Sequence, residues 1–163
     1  MNHNKFLKSY SFKVDFILPG LLLKEVSFTK IEGLQYSISE NNTEDPNAST
    51  LSAGEVSYSN LTLTRAMETG KPKILGVLEN SLTNWVEKQV DLKMKFPIPI
   101  VVHALNEKNK PAMSWTFYNA FPIDYSVSGF DSTSNELVTE TFIFKYKEFK
   151  RKAFSWLDMK GFG

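Results

Sequence analysis

The chain of 163 residues predicts a mainly β protein: an antiparallel barrel or sandwich-like sheet carrying one amphipathic α-helix. Three observations carry that prediction. Apolar and polar residues alternate with period two through most of the chain. A single segment, KPKILGVLENSLTNWVEKQ, switches to spacings of three and four. No internal repeat, low-complexity tract or linker divides the sequence, and its length suits one domain over 1–163 with a real core.

Taken in order, residues 1–10 are expected to form a flexible tail. In FKVDFIL, Phe12, Val14, Phe16 and Leu18 fall on one side of a strand, and Lys13 and Asp15 on the other. The apolar patch FILPGLLL, preceded by Lys5 and Lys8, could imitate a secretory signal. Lys13 and Asp15 interrupt its approach, Pro19-Gly20 split it, and KEVSF stands where a small-residue cleavage site should be, so it is read as strand. SFTKIEGLQYSISE gives two short strands pivoting at Gly33, where the missing Cβ tolerates a turn or bulge. From Asn41 to Ser59 the chain is polar and rich in turn formers, which reads as one long loop. NLTLTRA returns to alternation, with Leu61 and Leu63 against Thr62 and Thr64.

The helix is expected from about Pro72 to Gln89. Ile74, Leu75, Leu78, Leu82, Trp85 and Val86 make its apolar stripe, Pro72 suits its first turn, and Glu79, Asn84 and Lys88 take the wet side. Leu78, Leu82 and Trp85 are its candidate core residues. FPIPIVVHAL then reads as a β-branched strand whose prolines confine its start to an edge or entry position. AMSWTFYNA and PIDYSVS read as two strands joined at the corner Asn119-Ala120-Phe121-Pro122, and ELVTETFIFKYKEF sets Phe142, Phe144 and Tyr146 against Thr141, Ile143 and Lys145. The total is seven or eight strands and one helix.

Chemistry is sparse. Nineteen basic and eighteen acidic residues leave a formal charge of +1, which favours neither nucleic acid nor anionic membrane. The absence of cysteine removes disulfides, thiolate metal sites and cysteine nucleophiles together. No apolar run approaches the roughly 20 residues needed to span a bilayer. Of the two histidines, His103 sits alone in a strand and reads as packed or surface, since no HxH, HxxxH or HExxH pattern gives it metal-binding company. Glu136 and Glu140 would stand about 13 Å apart along a strand, beyond the separation of a glycosidase pair, and read as two charges on one strand face. No phosphate-cradling glycine motif occurs, and the basic segment KYKEFKRK reads as a solvated strand end. The sequon-like triplets at Asn41, Asn47 and Asn60 read as chance. No enzyme, cofactor or metal is expected.

What stands out is the order of particular segments: FKVDFIL, FTKIEGLQYSISE, YSNLTLTRAMETGKPKILGVLENSLTNWV and WTFYNAFPIDYSVSGFDSTSNELVTETFIFKYKEF. In these the chain resembles the tail tube protein family of contractile phages and phage-like injection particles, whose inner tubes resemble that of type VI secretion. The more specific features are LTLTRA leading to a helix that ends near Trp85, and NAFP followed downstream by SNELVTET. Family members commonly carry a glycine shortly after the basic residue of the first motif, whereas Arg65 is followed by Ala66.

The resemblance implies a non-enzymatic structural protein that forms hexameric rings stacked into a hollow tube. Its implied partners are further copies of itself, a contractile sheath, baseplate or tube-initiator and terminator proteins, and a cargo effector or DNA in the lumen, with no membrane binding by the subunit. Synthesis in a bacterial cytoplasm and a final place in a phage tail or injection particle follow from the same resemblance. The loop 41–59 is the expected contact between rings, with Asn42, Glu44, Asp45, Leu51 and Glu55 as candidate residues. Strands with one polar face place Lys13, Asp15, Thr62 and Thr64 as candidate lumen residues. The competing reading is a β-barrel module that holds a small apolar ligand in its mouth.

Overall fold

The computed structural model describes residues 6–40, 54–67 and 73–153, with helix side chains from Ser81 onward. In chain order the described elements are β1 (Phe12–Leu18), β2 (Leu21–Val26), β3 (Lys30–Glu32), β4 (Tyr36–Ile38), β5 (Val56–Tyr58), β6 (Leu61–Ala66), α1 (Lys73–Leu92), β7 (Ile98–Leu105), β8 (Pro111–Val127), β9 (Thr139–Lys145) and β10 (Glu148–Ala153). Every pairing is antiparallel. The patch FILPGLLL is the β1–β2 hairpin, turned on Gly20 at φ 73, a left-handed conformation that glycine adopts without steric cost.

The main ladder runs β2-β1-β7-β8-β9-β6-β3, with β10 added to β8. β8 is one strand of 17 residues where two were expected. Its first part pairs with β7 and β10, its last part with β9. At the corner Asn119 takes φ 56, a region that asparagine tolerates better than most residues, and the β9 register shifts between Pro122 and Asp124. The bend therefore redirects a strand without ending it. It also folds the ladder on itself: Phe16 of β1 lies 6.2 Å from Phe144 of β9, although β7 and β8 separate the two strands along the ladder.

The result is an open sandwich and not a closed barrel, because β2 and β3 end the ladder without pairing to each other. Where a barrel would zip them together, Phe28 of the connecting segment drops into the core, with its ring 6.0 Å from Phe16 and 6.5 Å from Phe142. The alternation predicted from sequence fixes the two inner faces. Val14, Phe16, Leu61, Leu63, Phe142 and Phe144 are fully buried, while Phe12 packs at the core margin.

The helix continues three residues beyond the expected Gln89. Leu82 is fully buried and Trp85 nearly so, its ring stacked on Phe144 at 6.0 Å and its indole N–H donating to the Phe96 carbonyl at 2.9 Å. Buried Gln89 closes the helix onto the approach to β7, donating to the Trp85 carbonyl at 3.1 Å and accepting from the Phe96 N–H at 2.8 Å. Leu78 lies outside the described side chains and Pro72 outside the described residues. Pro97 precedes β7, and Pro99 falls where the β7–β8 register shifts and before the β1–β7 pairing begins, which matches the predicted entry position.

Candidate functional site

Two polar clusters and one projecting arm are the features from which a function can be argued. The first cluster lies at the end of the core. Arg65 and Glu140 are cross-strand partners on β6 and β9, and the Arg65 Nε bonds a carboxylate oxygen of Glu140. The other Glu140 oxygen accepts from the Tyr125 hydroxyl at 2.7 Å. The guanidinium also lies over two aromatic rings, 5.6 Å from Phe28 and 5.4 Å from Phe142. Burial, followed by the hydrogen bond and charge of Glu140, pushes the Tyr125 hydroxyl up to about 12. Glu140 is thus a buried ion-pair partner and not, as its spacing from Glu136 suggested, one of two charges on a strand face; Glu136 precedes β9 and is exposed. A signal for this was present. Glu140 shares strand parity with Phe142 and Phe144, and Arg65 with Leu61 and Leu63, so both charges were due on the core side and needed each other.

This cluster explains the wording of the specific segments. LTLTRA supplies Arg65, the run after NAFP supplies Tyr125, and ELVTET supplies Glu140, so three separated stretches converge on one ion pair.

The second cluster lies on the outer face of the layer containing β1, β7 and β8. His103 bridges Ser114 Oγ through Nδ1 at 2.5 Å and Asp15 Oδ2 through Nε2 at 2.9 Å. Aspartate, histidine and serine are the groups of a hydrolytic triad, yet the arrangement is that of a brace. A triad places its carboxylate on Nδ1 and its serine at Nε2, next to oxyanion donors. Here the nitrogens are reversed, the three residues sit on neighbouring strands of one sheet face, and Ser114 is buried. Among the described residues no group of three or more His, Cys, Asp or Glu could hold a metal ion.

The expected lumen residues divide between the two layers. Lys13 and Asp15 alternate with Val14 and Phe16, and so lie on the outer face of the first layer. Thr62 and Thr64 alternate with Leu61 and Leu63 on the outer face of the second, where the Thr64 and Thr141 hydroxyls are 3.2 Å apart. The structure joins each pair and separates the two pairs by the full sandwich.

The segment read as a loop over 41–59 ends in a strand, because β5 pairs with β4 to make a two-stranded arm outside the main sheet. Tyr36 and Tyr58 fix its base against Phe149 at 5.8 and 5.4 Å, and Tyr146 donates to the Ser59 carbonyl at 2.6 Å. Gly33 enters the arm at φ 101, and a Cβ there would stand 1.8 Å from the Asn60 carbonyl oxygen, so no other residue fits. Glu55 is exposed, and its carbonyl accepts from the Ser39 N–H and hydroxyl at 2.9 and 3.2 Å. Asn42, Glu44, Asp45 and Leu51 lie outside the described residues.

The inter-sheet space is occupied by packed rings, and no helix among the described residues is long and apolar enough to cross a membrane. The described residues thus form an antiparallel open sandwich with one helix, a projecting two-stranded arm and polar clusters that brace strands. Comparison with known proteins makes the assignment. The sequence profile of the T4-like virus tail tube protein gp19 family matches residues 8–150, and the chain belongs to that family. It is a tail tube protein and not an enzyme. No curated protein matches the chain.

Among solved structures, a chain of the anti-feeding prophage baseplate, determined by cryo-EM with six-fold symmetry, is 21% identical with a TM-score of 0.73, over 92% of this chain and 97% of that one. A chain of the sheath-tube complex of the PVC extracellular contractile injection system in its extended state is 20% identical with a TM-score of 0.71, over 93% and 94%. The SPP1 tail tube is 12% identical with a TM-score of 0.61, over 91% and 80%. At these identities the likeness is one of fold.

Proposed function

We propose that this chain assembles into six-membered rings that stack as the hollow inner tube of a contractile injection particle or phage tail, a conduit for an effector or DNA. The observation that carries this reading is the tail tube family match along residues 8–150, joined to a fold shared with a chain of a six-fold baseplate. The fold itself favours lateral assembly. Among the described residues β2, β3 and β10 are sheet edges, and joining edges between copies removes the unpaired backbone groups that otherwise invite aggregation. The sheath, baseplate and terminator proteins of the similar particles suggest the same partner classes here. The arm that brackets residues 41–53 is the stacking element between rings.

Of the two outer faces, the one with Thr62, Thr64 and Thr141 is assigned to the bore. Its hydroxyls offer a moving passenger little to bury against, whereas the Lys13–Asp15 face carries exposed Ile17 and Leu22 alongside. Electron microscopy of the purified protein tests the assembly: six-fold rings and tubes are expected, and a species that stays monomeric on concentration would defeat it. In assembled tubes, Thr62→Cys should react with a small maleimide and resist one too bulky for the bore, while Lys13→Cys should show no such size dependence. The reverse pattern would transfer the bore to the other layer.

A further inference from the structure

The arm carries more apolar surface than its own protomer covers. Tyr36 and Tyr58 form the cross-strand pair that meets Phe149, and the next pair on the same face, Ile38 and Val56, is 56% and 48% exposed. A two-stranded ladder this short has little stability unless another surface covers it. The arm is also uniformly acidic. Between Ile31 and Thr64 the sequence contains Glu32, Glu40, Glu44, Asp45 and Glu55 and neither lysine nor arginine. Glu40 and Glu55, which flank the exposed pair, are themselves exposed.

Elsewhere on the protomer a groove of about 310 Å³ has the complementary character. It runs between the last turn of α1 and the part of β8 beyond the corner. Val90, Met94 and Ile123 line it and are each about half exposed or more, Lys93 and Lys95 border it, and Asp124 is the one carboxylate in its wall. Lys93 ends the helix at φ 51, a left-handed position that usually falls to glycine. The chain therefore accepts a strained residue there and gains an ammonium group at the groove's edge.

We propose that this groove seats the arm of a second copy of the chain, with Ile38 and Val56 over Val90, Met94 and Ile123, and Glu40, which shares the strand face of Ile38, toward Lys93 and Lys95. The contact joins two different surfaces, so it is head-to-tail and can be repeated from copy to copy. It rests on the stacked-ring reading and gives the arm its seat in the adjoining ring.

The chain has no cysteine, so introduced thiols report only on themselves. Val56→Cys and Val90→Cys variants are prepared separately, mixed in equal amounts and oxidised; a disulfide forms only where the two Cα atoms come within about 7 Å. Linked dimers are expected in the mixture and not in either variant alone. Adding Glu40→Lys to the arm variant should lower their yield several-fold, and adding Lys93→Glu and Lys95→Glu to the groove variant should recover it. Rings or tubes that form without the cross-link would overturn the groove as the seat while leaving ring assembly intact. Failure of the unmodified protein to form any assembly would overturn both. An intrachain bridge in a dilute chain carrying both substitutions would show each arm folding onto its own groove, and would equally overturn the proposal.

Discussion

The two polar clusters of the sandwich contain similar chemistry on opposite faces of their strands, one turned to the core and one to the outside. Arg65, Glu140 and Tyr125 lie at the inner face, where the charged side chains are 14% and 8% exposed and two aromatic rings hold the guanidinium. Asp15, His103 and Ser114 lie on an outer face, where the aspartate and histidine side chains are 19% and 17% exposed, at the boundary with water. The difference in position decides their roles. A charge inside the core must have its partner, because desolvation penalises the unpaired group; a charge at the surface can exchange its partner for water. The inner cluster therefore makes three distant segments interdependent, whereas the outer one braces strands that backbone bonds already hold.

The largest effect should come from breaking the inner pair on one side only. Glu140→Ala leaves the Arg65 charge at the core end without its carboxylate, and denaturant unfolding should show a loss of about 3–5 kcal/mol. Arg65→Met combined with Glu140→Leu should recover most of that loss, since a buried ion pair is often no more stable than well-packed apolar groups of similar volume. Failure of the double substitution to recover would mean that the pair also specifies strand register. Trp85→Ala supplies a yardstick of similar size from a different cause, about 3–5 kcal/mol for a cavity and a lost indole hydrogen bond. The charge substitution should depend on the identity of the partner, and the tryptophan substitution should not.

A smaller effect concerns proton release from the same cluster. Burial, then the hydrogen bond and charge of Glu140, push the Tyr125 hydroxyl from its ordinary 10.0 up to about 12, so the folded state holds this proton more firmly. Its contribution is complete below pH 10.0 and is lost as pH rises toward about 12. Tyr146, pushed up to about 12 by burial, acts in the same direction. Melting temperature should therefore fall across that alkaline interval, and Tyr125→Phe should flatten part of the fall while costing on the order of 1 kcal/mol at neutral pH. A profile unchanged by Tyr125→Phe would remove Tyr125 from the linkage.

The same contrast explains how much could be read from sequence. Period-two alternation assigned Val14, Phe16, Leu61, Leu63, Phe142 and Phe144 correctly, because an inner face is a local property of a strand. Partnership is not local. Asp15 and His103 stand 88 residues apart, Arg65 and Glu140 stand 75, and only the ladder order brings them together. The arm was half legible: β4 falls in the second of the two short strands expected around Gly33, whereas β5, three residues among serines and beside turn formers, resembles loop and falls in the segment 41–59 read as one. The corner was legible as a bend, but a left-handed Asn119 within a continuous strand has the same local sequence as a break.

The smallest effects are expected at the outer cluster, and they bear most directly on whether its triad-like composition has any chemistry. Ser114→Ala removes one hydrogen bond, and His103→Gln replaces a bridging imidazole by an amide that can still meet one neighbour; each should cost no more than about 1 kcal/mol. Salt should weaken the Asp15 contribution more than that of Ser114, because ions screen a partly exposed charge and leave a buried hydroxyl contact alone. An activated ester tests the alternative. A working triad needs a serine open to substrate, yet Ser114 is 4% exposed, and its hydroxyl meets Nδ1 of a histidine whose Nε2 is already held by Asp15. Ester hydrolysis by the assembled protein should therefore match that of His103→Gln, with both at the background expected of surface side chains. Turnover that disappears in both Ser114→Ala and His103→Gln, with stability preserved, would turn the brace into an active site and break the contrast between the two clusters at its weaker member.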